Sequence, residues 1–141
     1  MDTIRLKARA KINLGLDVVR RREDGYHEVK MVMQMLRLYD QIDIEKTQES
    51  GILVRSNLSF LPTDERNIAY KAAKVMIDQF GLEQGVIIRI EKHIPVAAGM
   101  AGGSTDCAAV LYGMNKLFGL RLNQKKLREL GVKLGADVPY C

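Results

Sequence analysis

The stretch from Ile94 to Leu111, IPVAAGMAGGSTDCAAVL, constrains the fold more than any other part of the chain. It follows GVIIRIEK, whose alternating apolar residues predict a strand, and it leads into a run of helical character. Glycines ahead of a helix leave the unpaired N–H groups of its first turn accessible, and the helix dipole places partial positive charge there. The order of strand, glycine-rich segment and helix therefore predicts a phosphate-binding site.

The first third of the chain reads as strands. TIRLKARAKINLGLDVV and EVKMVMQMLRLYDQIDIEK both alternate, a turn at EDG separates them, and GILVRS is a further short strand. The second run places four apolar residues on one face, which we expect to pack against helices: Val29, Met31, Met33 and Met35. Because strands precede helices and no repeat or linker interrupts the 141 residues, we predict one α+β domain spanning residues 1–141.

Three helices are predicted in the second half. The first lies within PTDERNIAYKAAKVMIDQFG, with Thr63 or Asp64 as its N-cap and Gly81 at its end. Its apolar residues recur at helical spacing: Ile68, Ala69, Ala72, Ala73, Met76 and Phe80. The second helix lies within STDCAAVLYGMNKLFG, and the third within NQKKLRELGVKLG.

The ends of the second and third helices carry their own signals. Ser104 or Thr105 is the predicted N-cap of the second helix, with Asp106 placed to interact with its positive end. Asn123 is the predicted N-cap of the third helix, and Gly135 its stop.

Composition excludes several classes of protein. Apolar residues make up 47% and charged residues 28%, which is ordinary for a globular domain. No apolar run approaches the roughly 20 residues of a membrane helix, and the first residues lack a secretion signal, so we expect a cytoplasmic protein without a membrane partner. Cys107 and Cys141 are too few for a disulfide framework or zinc cluster, and Cys107 is expected in the core. The net charge of +5 favours an anionic partner or simply reflects surface lysines.

The glycine-rich segment fits neither common phosphate-binding template. No lysine follows its glycines as in a P-loop, and Gly99-Met100-Ala101 breaks the Gly-x-Gly spacing of a dinucleotide fingerprint. A flexible loop at a tight crossing remains an alternative. If the segment binds a triphosphate, the cation and the base must come from elsewhere, and the candidates are Lys11, within a strand-like run, and Asp137, within LGADVPY. Considered alone, Lys11 fits a solvated surface lysine equally well, and Asp137 fits a turn residue equally well.

Together these residues resemble the GHMP kinase superfamily, whose phosphate segment has the form Pro-x-x-x-Gly-Leu-x-x-x-Ser-Ser/Thr. The matching positions, with methionine for leucine, are Pro95, Gly99, Met100, Gly102, Gly103, Ser104 and Thr105. Three further segments, AKINLGLDV, REDGYHEV and LGADVPY, point within the superfamily to members that act on a cytidine-bearing substrate in isoprenoid synthesis.

The resemblance implies roles for individual residues. Asp137 would be the base that takes the proton of the acceptor hydroxyl, with Lys11 beside it as the second catalytic residue. Asn13 would lie near the acceptor, while Tyr26 and His27 would contact the cytidine.

The resemblance also implies ATP, accompanied by Mg²⁺, as cofactor, and it assigns no residue of the chain as a metal ligand. The implied ATP-binding residues are Pro95, Gly99, Gly102, Gly103, Ser104 and Thr105, with Asn67 and Lys92 toward the adenosine.

The implied fold is a mixed sheet with helices on one face, similar to the second domain of ribosomal protein S five. Family members continue beyond the position of Asp137 into a C-terminal domain, whereas this sequence stops at Cys141. We therefore expect the chain to be an N-terminal fragment that folds but lacks useful kinase activity. Its partners would be ATP, the small-molecule substrate and the absent C-terminal domain of the same polypeptide.

Two alternatives remain open at this point. The first is a different GHMP kinase acting on homoserine, mevalonate or a sugar, against which DGYHEV argues. The second is an RNA-binding module, since the implied fold and the positive charge both suit RNA. The scattered aromatic residues do not form the basic and aromatic strip that RNA-binding surfaces use, so we expect no nucleic-acid partner.

Overall fold

The computed structural model describes residues 1–9, 38–94 and 102–135. These form four strands and three helices. The strands are β1 (Thr3–Arg9), β2 (Tyr39–Thr47), β3 (Ile52–Ser56) and β4 (Gly85–Glu91), and the helices are α1 (Ile68–Phe80), α2 (Gly102–Leu117) and α3 (Gln124–Leu134). The predicted Met stripe and the turn at EDG lie outside the described residues.

The strands form one mixed sheet in the order β1-β2-β4-β3. β1 and β4 both run antiparallel to β2, whereas β3 runs parallel to β4, with α1 as the crossover between them. This mixed sheet with three helices confirms the predicted α+β class.

Period-2 alternation decides which face of the sheet is buried. On β2, Ile42 and Ile44 are fully buried on the side where the helices pack, and on β4 Val86, Ile88 and Ile90 take the same side. The opposite, open face carries charged and polar side chains, including the cross-strand ion pairs Arg5–Asp43 and Arg89–Glu45. The predicted two-sided character of β4 is confirmed.

α2 approaches the sheet closely because residue 113 is a glycine. A Cβ at Gly113 would come within 2.6 Å of Leu6 Cδ1 and 2.7 Å of Ile44 Cδ1, so only a residue without a side chain lets the helix lie this near β1 and β2. Cys107 is completely buried between these elements, as predicted for a small core residue.

Two of the predicted helix starts are wrong. Asn67, rather than Thr63 or Asp64, caps α1, because its side-chain oxygen accepts a hydrogen bond from the Ala69 N–H. Asp64 is instead engaged with Arg66 in the preceding turn.

α2 begins at Gly102, so Ser104 and Thr105 lie inside its first turn and neither is its cap. The capping preference of a hydroxyl residue is worth only about 1 kcal/mol, too little to fix a helix start when later residues are anchored by burial. Asp106 is also not a first-turn residue facing the dipole. It points inward, on the same side of α2 as Val110.

The remaining helix ends agree with prediction. Gly81 ends α1 in the left-handed conformation, at φ 59° and ψ 41°, and its N–H donates to the Ile77 carbonyl. Asn123 caps α3 by accepting from the Lys126 N–H, and at the other end the Gly135 N–H donates to Gly131. None of the helices in the described part of the chain is long and apolar enough to cross a membrane.

Candidate active site

The first turn of α2 presents the features of an anion site. No acidic residue lies in that turn, so nothing there opposes an incoming anion. Gly103 is exposed, and among the residues that the structure describes a Cβ built on it would meet Ile68 Cγ2 alone, at 3.7 Å. Ile68 is the first residue of α1, so its side chain lies near the second residue of α2.

An open groove of about 430 Å³ lies next to the start of α2, where Thr105 is one of its lining residues. Its walls come from β1, α2 and α3. They include Leu6, Ala8, Thr105, Ala109, Leu127 and Arg128.

Behind the start of α2 lies a buried charged cluster, which we call the Asp40–Lys92–Asp106 triad. Lys92 Nζ donates to Asp40 Oδ2 at 2.7 Å and to Asp106 Oδ2 at 3.0 Å. Asp40 is 0% exposed and Asp106 is 4% exposed, so both carboxyls are shielded from water. Asp106 Oδ1 is buried and has no hydrogen-bond partner among the described residues.

The two carboxyls of the triad differ in protonation. The pKa of Asp106 is raised to about 8, first by burial and then by its hydrogen bond with Asp40, against the lowering effect of Lys92. Burial alone would also raise the pKa of Asp40. Hydrogen bonds from Asp106, the Ile94 and His93 amides and Lys92 outweigh it, so the pKa of Asp40 is lowered.

For Lys92, burial and the neighbouring charges also act in opposite directions on the pKa, but each acts in the direction opposite to its effect on Asp40. Burial lowers its pKa, but the charges of Asp106 and Asp40 raise it more, so Lys92 stays charged. At neutral pH the triad therefore consists of an ionised Asp40, a charged Lys92 and a protonated Asp106, with no net charge.

Side chains also hold the backbone that follows β4. The Asn57 side chain accepts from the Lys92 N–H at 2.8 Å and donates to the Lys92 carbonyl at 3.2 Å. Asp40 Oδ1 accepts from the next two amides, those of His93 at 2.7 Å and Ile94 at 2.9 Å. Three consecutive residues are thus fixed immediately before the glycine-rich segment.

Asn67 and Lys92, the two predicted contacts to adenosine, are both described, and both have structural partners. Asn67 caps α1, and its amide nitrogen donates to the Pro62 carbonyl at 2.8 Å. Lys92 directs two N–H groups to the aspartates of the triad.

The start of α2 brings Gly102, Gly103, Ser104 and Thr105 together on one turn, although the side chain of Ser104 is outside the description. Thr105 is buried. The other predicted site residues lie outside the described residues: Lys11, Asn13, Tyr26, His27, Pro95, Gly99 and Asp137.

Sequence reasoning missed Asp40 and Asn57. A signal for Asp40 was present, because it falls in phase with Ile42 and Ile44 and so was placed on the buried face of β2. A charged residue at such a position requires a buried partner. Nothing in the local sequence distinguishes Asn57. Its side chain bonds the backbone of Lys92 only because the end of β3 lies beside Lys92 in the fold.

Comparison with known proteins identifies the family. Residues 67–141 match the family model described as GHMP kinases N terminal domain, and the chain belongs to this family. It is 55% identical, over 141 residues, to the 4-diphosphocytidyl-2-C-methyl-D-erythritol kinase of Lachnospira eligens, and 57% identical, over 136 residues, to the enzyme of that name from Caldicellulosiruptor saccharolyticus. These alignments cover 100% and 96% of this chain but 49% and 47% of the relatives, so the chain spans about half their length.

Solved structures agree with this assignment. A crystal structure of 4-(cytidine 5'-diphospho)-2C-methyl-D-erythritol kinase matches with a TM-score of 0.64 and 31% identity, covering 97% of this chain and 48% of that one. Homoserine kinase from Cytophaga hutchinsonii also matches with a TM-score of 0.64, at 23% identity, covering 69% of this chain and 32% of that one. The second likeness shows the shared fold alone.

Proposed function

We propose that this chain is the N-terminal, ATP-binding and catalytic domain of a kinase. The kinase transfers the γ-phosphoryl group of ATP to the 2-hydroxyl of 4-diphosphocytidyl-2-C-methyl-D-erythritol, in the non-mevalonate isoprenoid route. The observation that carries the proposal is identity of 55% or more along nearly the whole chain to relatives bearing the name of that kinase. The relatives' additional length supports a C-terminal domain as the partner that completes the enzyme.

The phosphates of ATP are assigned to the start of α2. The residues there are Gly102, Gly103, Ser104 and Thr105, with Pro95 and Gly99 in the preceding segment. The exposed Gly103, the absence of an acidic residue in the first turn and the helix dipole all fit an anion. Mg²⁺ would arrive with ATP and neutralise phosphate charge. Asn67 and Lys92 remain the proposed adenosine-side residues. A Cβ built on Gly103 would lie 3.7 Å from the side chain of Ile68, the residue after Asn67, which supports the nearness of Asn67 to α2.

The chemical step is assigned to Asp137 and Lys11. Asp137 takes the proton from the acceptor hydroxyl, and Lys11 keeps that carboxyl ionised and neutralises charge on the transferred group. An opposite charge at close range lowers the pKa of a carboxyl, so the base is unprotonated at neutral pH. Asn13 orients the acceptor, and Tyr26 and His27 bind the cytidine by stacking and hydrogen bonding.

The competing functions are weaker. The homoserine kinase is 23% identical to this chain, which shows a shared fold and gives no reason to assign the same substrate. The kinases named for the cytidine-bearing substrate match at 31% identity and above. The relatives reported above are kinases and lend RNA binding no support, so the protein is proposed to bind no nucleic acid.

The experiment is turnover in a chimera that joins this chain to the C-terminal half of the Lachnospira eligens relative. Asp137→Asn should lower turnover by roughly 10²–10⁴-fold, the usual share of general-base catalysis, with ATP affinity nearly unchanged. Asp43→Asn, on the open face of the sheet, is the control and should leave turnover unaffected. A chimera with Asp137→Asn that turns over normally would remove Asp137 from the mechanism.

The same assay tests the 141-residue chain alone. It should fold and show little turnover, because phosphoryl transfer needs reacting groups held in position and shielded from water by both domains. Turnover equal to that of the chimera would show that the second domain is dispensable.

A further inference from the structure

The Asp40–Lys92–Asp106 triad connects three elements around the glycine-rich segment. Asp40 lies on β2, Lys92 follows β4 just before residues 95–101, and Asp106 lies on α2, which begins just after them. Lys92 Nζ reaches one carboxyl on each side, at 2.7 Å and 3.0 Å. The chain therefore leaves the sheet and joins the helix at two points that share one ammonium group.

Side chains hold the backbone that leads into residues 95–101. Beyond the end of β4, the N–H groups of Lys92, His93 and Ile94 all donate to side-chain oxygens of Asn57 or Asp40. The carboxylate of Asp40 thus does two things at once. One oxygen accepts from the two backbone amides, and the other accepts from the lysine that reaches α2.

Burying three ionisable groups is a costly way to stabilise a core. The desolvation of buried charges often exceeds their mutual attraction, and apolar residues of equal volume commonly do as well or better. The unpartnered Asp106 Oδ1 adds to that cost. Hydrogen bonds between charged groups nevertheless fix direction and distance in a way that apolar contacts do not.

We propose that the Asp40–Lys92–Asp106 triad is a positioning device that holds the end of β4 and the first turn of α2 in the relative placement that nucleotide binding requires. This rests on the proposed function, since it assigns the phosphates to that first turn. It differs from a direct adenosine contact by Lys92, because the two aspartates carry as much of the role as the lysine does.

The consequence for binding follows from geometry. The unpaired N–H groups at the start of α2 act together only if they converge on the same phosphate oxygens. A displacement of about 1 Å in groups that must act together can cost on the order of 10²-fold in function. Loss of the triad should therefore weaken ATP binding even where the fold persists.

The first measurement needs no nucleotide. Amide hydrogen exchange of the 141-residue chain should show Ile94 exchanging about 10-fold faster in Asp40→Asn, since a hydrogen bond to a charged acceptor is replaced by one to a neutral acceptor. Asp43→Asn is the matched control, because it makes the same change on the same strand on the opposite face, and it should leave Ile94 unchanged. Equal exchange in the two variants overturns the proposal.

The second measurement is ATP affinity by calorimetry on the same proteins. Asp40→Asn should raise the dissociation constant by about 10-fold or more, the effect of a modest misplacement, and Asp43→Asn should not. A structural role alone would change stability and amide exchange without changing the affinity of the folded protein. Unchanged affinity in folded Asp40→Asn, with faster exchange at Ile94, therefore also overturns the proposal.

A second pair of variants decides the question if Asp40→Asn fails to fold. Asp106→Asn keeps an oxygen acceptor for Lys92, whereas Asp106→Leu removes it at similar size and leaves the Lys92–Asp40 pair in place. Asp106→Asn should bind ATP like wild type, and Asp106→Leu should bind about 10-fold more weakly, as expected for a misplaced first turn. Equal affinities in this pair contradict the role of the triad.

Failure of the proposed function looks different. If wild-type chain binds no ATP while the exchange of Ile94 responds to Asp40→Asn alone, the nucleotide assignment is wrong and the triad has no phosphates to position, which overturns the inference with it. If wild type binds ATP and the variants do so equally well, the proposed function stands and only the triad's role is lost.

Discussion

Asp40 and Asp43 lie three residues apart on β2 and accept hydrogen bonds of nearly equal length, but they face opposite sides of the sheet. Asp40 accepts from Lys92 at 2.7 Å with both side chains almost completely buried, whereas Asp43 accepts from Arg5 at 2.8 Å with the arginine 70% exposed. In water the open-face pair is screened and flexible, so it contributes little. The buried pair cannot lose one partner without leaving a charge in the core. Burial, rather than distance, decides what each pair does.

The largest effect is expected from removing the cation on each face in turn. Lys92→Met leaves the ionised Asp40 without a counter-charge in the core, and breaking a buried pair in this way should lower the free energy of unfolding by about 3–5 kcal/mol. Arg5→Met is the matched change on the open face and should leave the unfolding transition where it is. Urea denaturation of both variants measures the difference, and equal destabilisation would remove the contrast between the faces.

A smaller effect should come from pH, through Asp106 alone. Its pKa is raised to about 8 when folded from an ordinary value of 3.8, so the folded state holds a proton that the unfolded state releases between these values. The stability contributed by that proton is complete below about 4 and is lost as the pH rises through about 8. The free energy of unfolding should therefore fall with rising pH, by at most about 1.4 kcal/mol per pH unit.

Asp106→Asn sharpens this prediction because it mimics the protonated carboxyl at every pH. Its unfolding free energy, measured in urea at pH 5, 6 and 7, should lack the part of the slope due to Asp106. Asp40, whose pKa is lowered, and Lys92, whose pKa is raised, titrate outside this window. Parallel pH profiles for wild type and Asp106→Asn would show that Asp106 is not protonated in the folded protein.

The contrast between the faces also marks how far the sequence could predict this structure. Period-2 alternation predicted β4 and its two faces, and helical spacing predicted the core residues of α1, since both patterns are local consequences of backbone geometry. The caps at Asn123 and Gly135 were equally local. These predictions depend on nothing distant in the chain.

Two features could not be predicted from local patterns. One is which of several candidate residues caps a helix, and the other is which distant residue pairs with a buried charge. Asp64 and Asn67 both offer a side-chain oxygen before α1, and only the engagement of Asp64 with Arg66 decides between them. The local sequence predicted that Asp106 interacts with the helix dipole, but its partner is Lys92, 14 positions earlier. Asp40 and Lys92 are 52 positions apart, and no periodicity connects them. The roles of Lys11 and Asp137 came from family resemblance and stay predictions.

The most direct test of the account is an ATP titration of the 141-residue chain, followed at individual backbone amides by NMR. We predict saturable shifts at Gly103 and Thr105 in wild type. Gly103→Val should abolish them, because its side chain enters the space of the phosphate while the fold has room for it. Lys125→Val, the equivalent second position of α3, is exposed and should titrate like wild type. An unchanged ATP affinity in folded Gly103→Val, or no shift at the start of α2 in wild type, would contradict the assignment of the nucleotide to this helix.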